Sequence, residues 1–550
     1  MALPPTPGPP ESGECPGDAD VAHRSRLVRK GDRLARAILF TVYVLVLLRT
    51  AWLSDDAFIT LRTLDNLRHG FGLSYNPGER VMGFTHPLWA LLVFVPMALG
   101  ASAYAAAMGV SLTCALLAAV VVARAAATGF LSAAALWFLS LSSAYVDYST
   151  SGLENPLTHL LLALFFMRGM RSKPGDSPLG TFLLAGLVVL NRMDCGLLVL
   201  PALLREVLER RSGARLPVSL RPLRRWLGPA ALGFSPLAAW LVFAVVYYGF
   251  PFPNTAYAKL NLHIPAAAMA RQGGWYFLDS LRHDPVTLFL IAAAIVLALR
   301  RRSPSSVPAA LGMMLYLLYV ERIGGDFMSG RFFSAPFLVS VVFLAGEGLA
   351  HVSPRASIAL VAFTSVLGLA FVPGLFVKEK RERWGKNGIA NERLWYGVVT
   401  RLTLNLREPT YRQQTFFKQG DRAGRNRQRV AVEGSIGMFG FAAGPGVHVI
   451  DTNALTDPLL SRIPFSAGWH FRIGHFHRTV PAGYERTIRD GQNELVDPCL
   501  HDYYDLLSPV IHGPIFTAAR FRAIASLNSG RYQHLVTEPC PAGYASSRQH

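Results

Sequence analysis

The stretch DDAFITLRTLDNLRHG, Asp55 to Gly70, sets two adjacent carboxylates directly after the first long apolar run, residues 33–53, of a chain that is mostly apolar. Charge at a bilayer boundary is costly to desolvate, so an acidic pair there is read as a functional site. Phe58 and Leu61 alternate with Arg62 and Asp65 at helical spacing, which predicts an amphipathic helix lying on the membrane with Asp55 and Asp56 at its start. Acids at a helix start are also good caps, but a cap stabilises by only about 1 kcal/mol and does not call for two carboxylates. As a functional pair, close like charges raise one of the two pKa values, giving a general base or a shared ligand for an acceptor hydroxyl. Two carboxylates alone are too few oxygen ligands for a specific divalent metal.

The rest of the chain supports the membrane reading. Of 550 residues, 51% are hydrophobic and 16% charged, against roughly 25% charged in a soluble globular protein. The net charge of +19 does not point to nucleic acid, because the arginines cluster in short loops between apolar runs, as the positive-inside rule requires. Residues 1–32 are read as a disordered cytoplasmic tail. Apolar runs near 33–53, 103–123, 130–147, 156–170, 178–191, 195–209, 227–248, 285–300, 307–321, 334–350 and 356–377 predict about eleven crossings. Keeping all the basic loops on the inner side requires that Pro87 to Gly100 lie along or dip into the outer leaflet without crossing.

With that topology the polar, turn-rich motifs share the outer face: the first external loop 54–86, then STSGLEN (Ser149 to Asn155), NRMDCG (Asn191 to Gly196), FPFPNTAYAK (Phe250 to Lys259) and GGDFMSGRFF (Gly324 to Phe333). Separated loops converging on one surface are how a helical scaffold builds an active site. Residues 378–550 carry no further spanning run and read as a soluble extracytoplasmic domain of mixed α/β character, with RVAVEGSIGMFGF and GVHVIDTNAL as strands. Cys499 and Cys540 are the only cysteines of that domain, so one disulfide is expected between them in an oxidising compartment.

A carboxylate base at a membrane face with cations scattered around it suits a substrate whose leaving group is anionic. Lys259, Arg331, Arg192 and Arg62 are the candidate phosphate ligands, with a salt bridge to Asp326 as the plain alternative for Arg331 and Asp194 as the partner of Arg192. Glu154, Asn155, His86, Asn254 and Asp326, drawn from the same motifs, are candidate substrate contacts. His470, His475 and His477 match no zinc spacing, and GSIGMFG departs from a dinucleotide fingerprint.

The ordered set DDAFITLR, NPGERVMGFTHPLW, SGLEN, PNTAYAK and GGDFMSGRF resembles the membrane glycosyltransferases of the GT-C fold that use polyprenyl-phosphate sugars. It is closest to the terminal arabinofuranosyltransferases of mycobacterial arabinan synthesis and relatives sometimes labelled flagellar motor control proteins. The resemblance extends to GMFGFAAGPGVHVIDTNALTDPLLSRIP and RIGHFHR in the C-terminal part. It implies a multi-pass inner-membrane enzyme, residues 33–377 being the GT-C transmembrane domain. It would move a sugar, arabinofuranose among the candidates, from a polyprenyl phosphate to an envelope glycan hydroxyl. Asp55 is then the catalyst and Asp56 the runner-up, with no nucleotide cofactor and no obligatory metal, a divalent cation staying an open alternative. A transporter would instead place ionisable groups near the midplane of repeated halves, and a non-enzymatic envelope or motility factor would not need the acidic pair.

Overall fold

The computed structural model describes residues 16–173, 176–212, 221–260, 262, 264–371, 387–465 and 472–544. Each apolar run forms helix within these limits: Pro16–Thr50, Ala103–Ala125, Gly129–Leu141, Asn155–Arg171, Leu179–Asn191, Gly196–Ser212, Arg221–Tyr248, Pro285–Arg301, Ser306–Arg322, Ser334–Phe343 and Pro354–Phe371. The first helix begins inside the segment expected to be a disordered tail; residues 1–15, the end of the last run after Phe371, and the boundary at 378 lie outside the described residues. Among the described residues, four helical stretches are long and apolar enough to cross a bilayer, or six if each of two bent pairs is one span, against the eleven runs predicted. Several runs are too short alone: the 13-residue Gly129–Leu141 helix is about 20 Å long against a hydrocarbon core of about 30 Å. The protein is a multi-span helical membrane protein. Pro87–Ala98, the stretch expected not to cross, is a helix of 12 residues, about 18 Å long.

The acidic helix, Asp55–Arg68, turns away from the first helix by 80°. Local chemistry sets this bend. Ser54 caps the helix by accepting the Ala57 N–H at 3.2 Å, while its own N–H donates to Ser151 O at 2.9 Å. The Trp52 indole donates to Asp147 O at 2.8 Å, and the Leu53 N–H to the Thr400 hydroxyl at 3.3 Å. Buried donors at a chain bend are costly to leave unpaired, so these bonds hold the start of the acidic helix against the 142–154 loop and the C-terminal segment.

Beyond residue 387 the chain forms short helices around a two-stranded parallel sheet, β1 (Val430–Glu433) and β2 (His448–Asp451), in which Val430 pairs with His448 and Glu433 with Asp451. The run expected to continue β1 is instead the helix Ile436–Ala443. Its glycines explain the difference. Gly437 packs on the backbone of Asp55 and Gly440 on the Tyr75 hydroxyl, an approach that only residues without a Cβ permit, so this glycine helix lies flush against the acidic helix. Gly420 and Gly424 of the Thr415–Arg425 helix make the same close approach to Phe439 and Ala443 from the other side. Ile389, Tyr396, Tyr411 and Met438 belong to the same buried apolar cluster as the spanning helices, so the C-terminal segment shares a core with them. Cys499 and Cys540 form a disulfide with Cα atoms 5.6 Å apart, as expected from their placement.

Candidate active site

The acidic helix meets the C-terminal segment at a cavity of about 370 Å3. Asp55 and Asp56 form one wall; Phe327, Glu392, Trp395, Tyr396, Ser435, Asn453, Arg472, His475 and His477 contribute to the others. Another cavity of about 390 Å3, among Phe165, Met170, Arg205 and Phe343, holds none of the candidate residues.

The two aspartates are treated differently. Asp55 is buried, and both carboxylate oxygens accept backbone N–H groups from the first turn of the glycine helix: Met438 N to Oδ1 at 2.8 Å and Gly437 N to Oδ2 at 3.3 Å. A helix N-terminus is a natural seat for an anion, yet burial outweighs it, with the Asp56 charge adding to the effect, and the Asp55 carboxyl is pushed up to about 7. Asp56 is only partly buried and makes no hydrogen bond among the described residues. Burial raises its pKa too, opposed by the nearby charges of Arg331, Lys259 and Arg472 and reinforced by that of Asp326. On the cavity's far wall, burial pushes the Glu392 carboxyl up to about 8 despite its 3.2 Å ion pair with Arg472, the carboxylates of Asp56 and Asp55 contributing. Burial lowers His475 to about 3, helped by Arg472 and Lys259, so its ring is neutral and edge-on to Phe327, centroids 4.4 Å apart.

Behind Asp56 lies a charged cluster. Arg331 reaches Glu154 at 3.1 Å and Asp326 at 3.5 Å, the latter being the pairing expected as its plain alternative. Asp326 also accepts the Phe327 N–H at 2.8 Å. Lys259, on the helix Asn254–Leu260, shares the field of Asp326, Arg331 and Asp56 but makes no ion pair or hydrogen bond among the described residues. The residue is exposed, and the protein packed round its ammonium pulls it below the usual lysine range. Glu154 is the hub of the cluster: it also meets His86 at 3.3 Å and Arg192 at 3.7 Å. Although burial works against its charge, Arg331, His86 and Arg192 hold its carboxyl down at about 2.

Five sequence-derived candidates are engaged by other protein groups. Arg62 is buried and spends its guanidinium on the carbonyls of Tyr75, Gly440 and Val447, so it has no free donor face for a phosphate. Asn254 donates to the carbonyls of Ala454, Leu455 and Asp457 and accepts the Ser461 hydroxyl, pinning the 454–461 loop. Asn155 is buried and donates to the Ser334 hydroxyl at 3.1 Å. Arg192 forms a forked pair with Asp194 at 3.0 and 2.5 Å, as its sequence spacing suggested, and also donates to the Tyr316 hydroxyl at 3.1 Å. His86 bonds Thr60 at 2.9 Å and belongs to the Glu154 hub. Conversely, Glu392, Tyr396, Arg472 and Asn453 line the cavity without standing out in the sequence. The only signal for them lay in strings such as DTNAL and RIGHFHR, which carry Asn453 and Arg472. His475 and His477, which match no zinc spacing, line the cavity, and His470 lies outside the described residues.

The site thus sets one buried and one half-buried carboxylate, Asp55 and Asp56, in the same neighbourhood as the cations Lys259 and Arg331. The relatives that the comparisons find are named as glycosyltransferases. The chain is 27% identical to a terminal beta-(1->2)-arabinofuranosyltransferase of Mycobacterium tuberculosis, a match covering 80% of this chain and 82% of that protein. A Corynebacterium glutamicum protein of the same name is 30% identical over 52% of this chain, but only 46% of that relative is matched. No protein-family model matches. Among solved structures, ArnT from Cupriavidus metallidurans bound to undecaprenyl phosphate superposes with a TM-score of 0.45 at 15% identity, covering 77% of this chain and 86% of that one. The Archaeoglobus fulgidus oligosaccharyltransferase in complex with zinc and sulfate gives a TM-score of 0.42 at 13% identity over 75% of this chain and 62% of that one.

Proposed function

We propose that this chain is a GT-C-type transferase that moves arabinofuranose from a polyprenyl phosphate to a hydroxyl of an envelope glycan at the outer face of the cytoplasmic membrane. The observation that carries the reading is the placement of Asp55 and Asp56 between an open cavity on one side and the cations Lys259 and Arg331 on the other. The cavity supplies the aqueous side, where a glycan enters, and the spanning helices supply the bilayer in which an isoprenoid carrier dissolves. The disulfide supports an oxidising compartment for the C-terminal segment, residues 378–550 being read as an extracytoplasmic domain.

In the proposed reaction the acceptor hydroxyl oxygen attacks the anomeric carbon of the donor while its proton passes to Asp55. The bond from anomeric carbon to phosphate oxygen breaks, and its electron pair leaves with the phosphate. Asp55 is held in place by two N–H groups that still leave lone pairs for an incoming proton, and a pKa near the working pH is what a general base needs. Lys259 and Arg331 neutralise the leaving phosphate, Lys259 as the cation whose donors are uncommitted. Asp56 stands beside the base as a ligand for the acceptor hydroxyl. Incubating the purified protein with labelled polyprenyl-phosphate sugars and arabinan acceptors tests the assignment. Transfer of arabinofuranose in preference to hexoses supports it, and transfer of none of them removes it.

A further inference from the structure

We infer a divalent-metal site on the helix Pro498–Ile511, built from His501, Asp502 and Asp505 and independent of the acidic pair. Helical spacing puts His501 and Asp505 on one face four residues apart, with Asp502 beside them. His501 Nδ1 lies 3.4 Å from Asp505 Oδ2 and 3.5 Å from Asp502 Oδ1. Bonds of about 2.0–2.2 Å to a tetrahedral ion place neighbouring ligand atoms about 3.3–3.6 Å apart, so the spacing suits atoms that share an ion.

Two further observations point to a ligand. The His501 side chain is 9% exposed, yet its Nδ1 is a buried atom with no hydrogen-bond partner among the described residues, although two carboxylates face it. A buried ring nitrogen is ordinarily satisfied, and a nitrogen that coordinates an ion is. Each carboxylate is also held by its other oxygen: Asn493 Nδ2 donates to Asp505 Oδ1 at 2.8 Å, and the Tyr544 hydroxyl to Asp502 Oδ2 at 3.2 Å. Neutral donors on the outer oxygens aim the inner ones at Nδ1, which is how outer-shell groups orient metal-ligating carboxylates. The neighbouring group Asp497, Cys499 and Cys540 is not a second site, since both sulfurs are spent in the disulfide.

One imidazole with two carboxylates favours Zn2+ or Mn2+ over the all-oxygen cages that Ca2+ and Mg2+ prefer. Asp505 is 48% exposed, leaving room for water in the remaining positions. None of the three residues lines the candidate active site, so the ion is a staple. Through Asn493 and Tyr544 it ties the helix to the preceding turn and to the chain beyond the disulfide.

The test uses the full-length protein in detergent or nanodiscs, freed of any histidine tag and stripped with chelator. Zn2+, Mn2+ and Ca2+ are titrated separately, with metal content and thermal midpoint as readouts. Wild type is expected to retain one Zn2+ or Mn2+ per chain through desalting and to gain thermal stability, whereas D505N and H501Q retain none and gain nothing. D505N alters a half-exposed group and serves where H501Q fails to fold. No ion retained by wild type, a preference for Ca2+, or equal retention by D505N overturns the assignment.

Discussion

Replacing Gly437 by alanine perturbs the candidate base from a position 382 residues away in sequence. A Cβ built there falls 2.6 Å from the Asp55 carbonyl carbon and 2.8 Å from its Cγ, closer still to the carbonyl oxygen. Ordinary contact begins near 3.5 Å, so to clear the carbonyl oxygen the glycine helix must recede from Asp55 by roughly 1.5 Å. Overpacking of this kind costs about 1–3 kcal/mol of stability. The effect on chemistry should be larger in proportion, because a misplacement of about 1 Å in a reacting group costs on the order of 100-fold in rate. The N–H groups of Gly437 and Met438 would no longer fix the carboxylate. The assay is single-turnover glycosyl transfer in parallel with thermal unfolding, with Gly446→Ala as control, since a Cβ at Gly446 meets nothing within 4 Å. Gly437→Ala should fold, melt a few degrees lower and turn over about 100-fold more slowly. A folded Gly437→Ala protein with wild-type turnover would refute the coupling of the glycine helix to Asp55.

Glu154→Ala removes the carboxylate shared by Arg331, His86 and Arg192 and leaves Arg331 with Asp326 alone and Arg192 with Asp194 alone, so stability should fall by about 3 kcal/mol in denaturant titrations; a loss below about 1 kcal/mol would contradict its role as hub. Turnover should rise with pH through about 7, because the Asp55 carboxyl must ionise to act as base, and an ascending limb centred near 4 would show that another group titrates. For stability the sign is the reverse: the folded pKa lies above the unfolded 3.8, so this carboxyl's contribution is present below 3.8 and lost as pH rises towards 7, a loss that Asp55→Asn should abolish. Cys499→Ser should lower stability by about 2–4 kcal/mol, and two free thiols in denatured, non-reduced wild type would show that no bridge forms.

The parts of the site legible in the sequence were those written in local chemistry. Asp55 and Asp56 stood out because charge follows an apolar run, and Asp194 could be assigned to Arg192 because two residues separate them. The cysteine pairing followed from the expected compartment and from there being two cysteines beyond residue 378. The bonds of Arg62 and Asn254 were not legible because most of their acceptors are backbone carbonyls delivered by the 440–461 region, and no side-chain pattern records where a carbonyl will point. The glycine helix was read as a strand because alternation of small and large residues looks the same whether glycine breaks a strand or admits a neighbouring backbone. Glu392 and Arg472 were invisible because they reach the cavity only after the C-terminal segment folds onto the acidic helix.

The central claim is that Asp55 is the base and Lys259 a phosphate ligand, and paired measurements of donor affinity and single-turnover rate on Asp55→Asn and Lys259→Ala test it most directly. Asp55→Asn keeps the size of the side chain, so donor binding should persist while the transfer step slows by about 100- to 10,000-fold. Lys259→Ala should weaken donor binding as well as rate, because the phosphate is charged before and after transfer. Normal turnover by Asp55→Asn with loss in Asp56→Asn would move the base by one residue, and normal turnover by both would contradict the carboxylate mechanism.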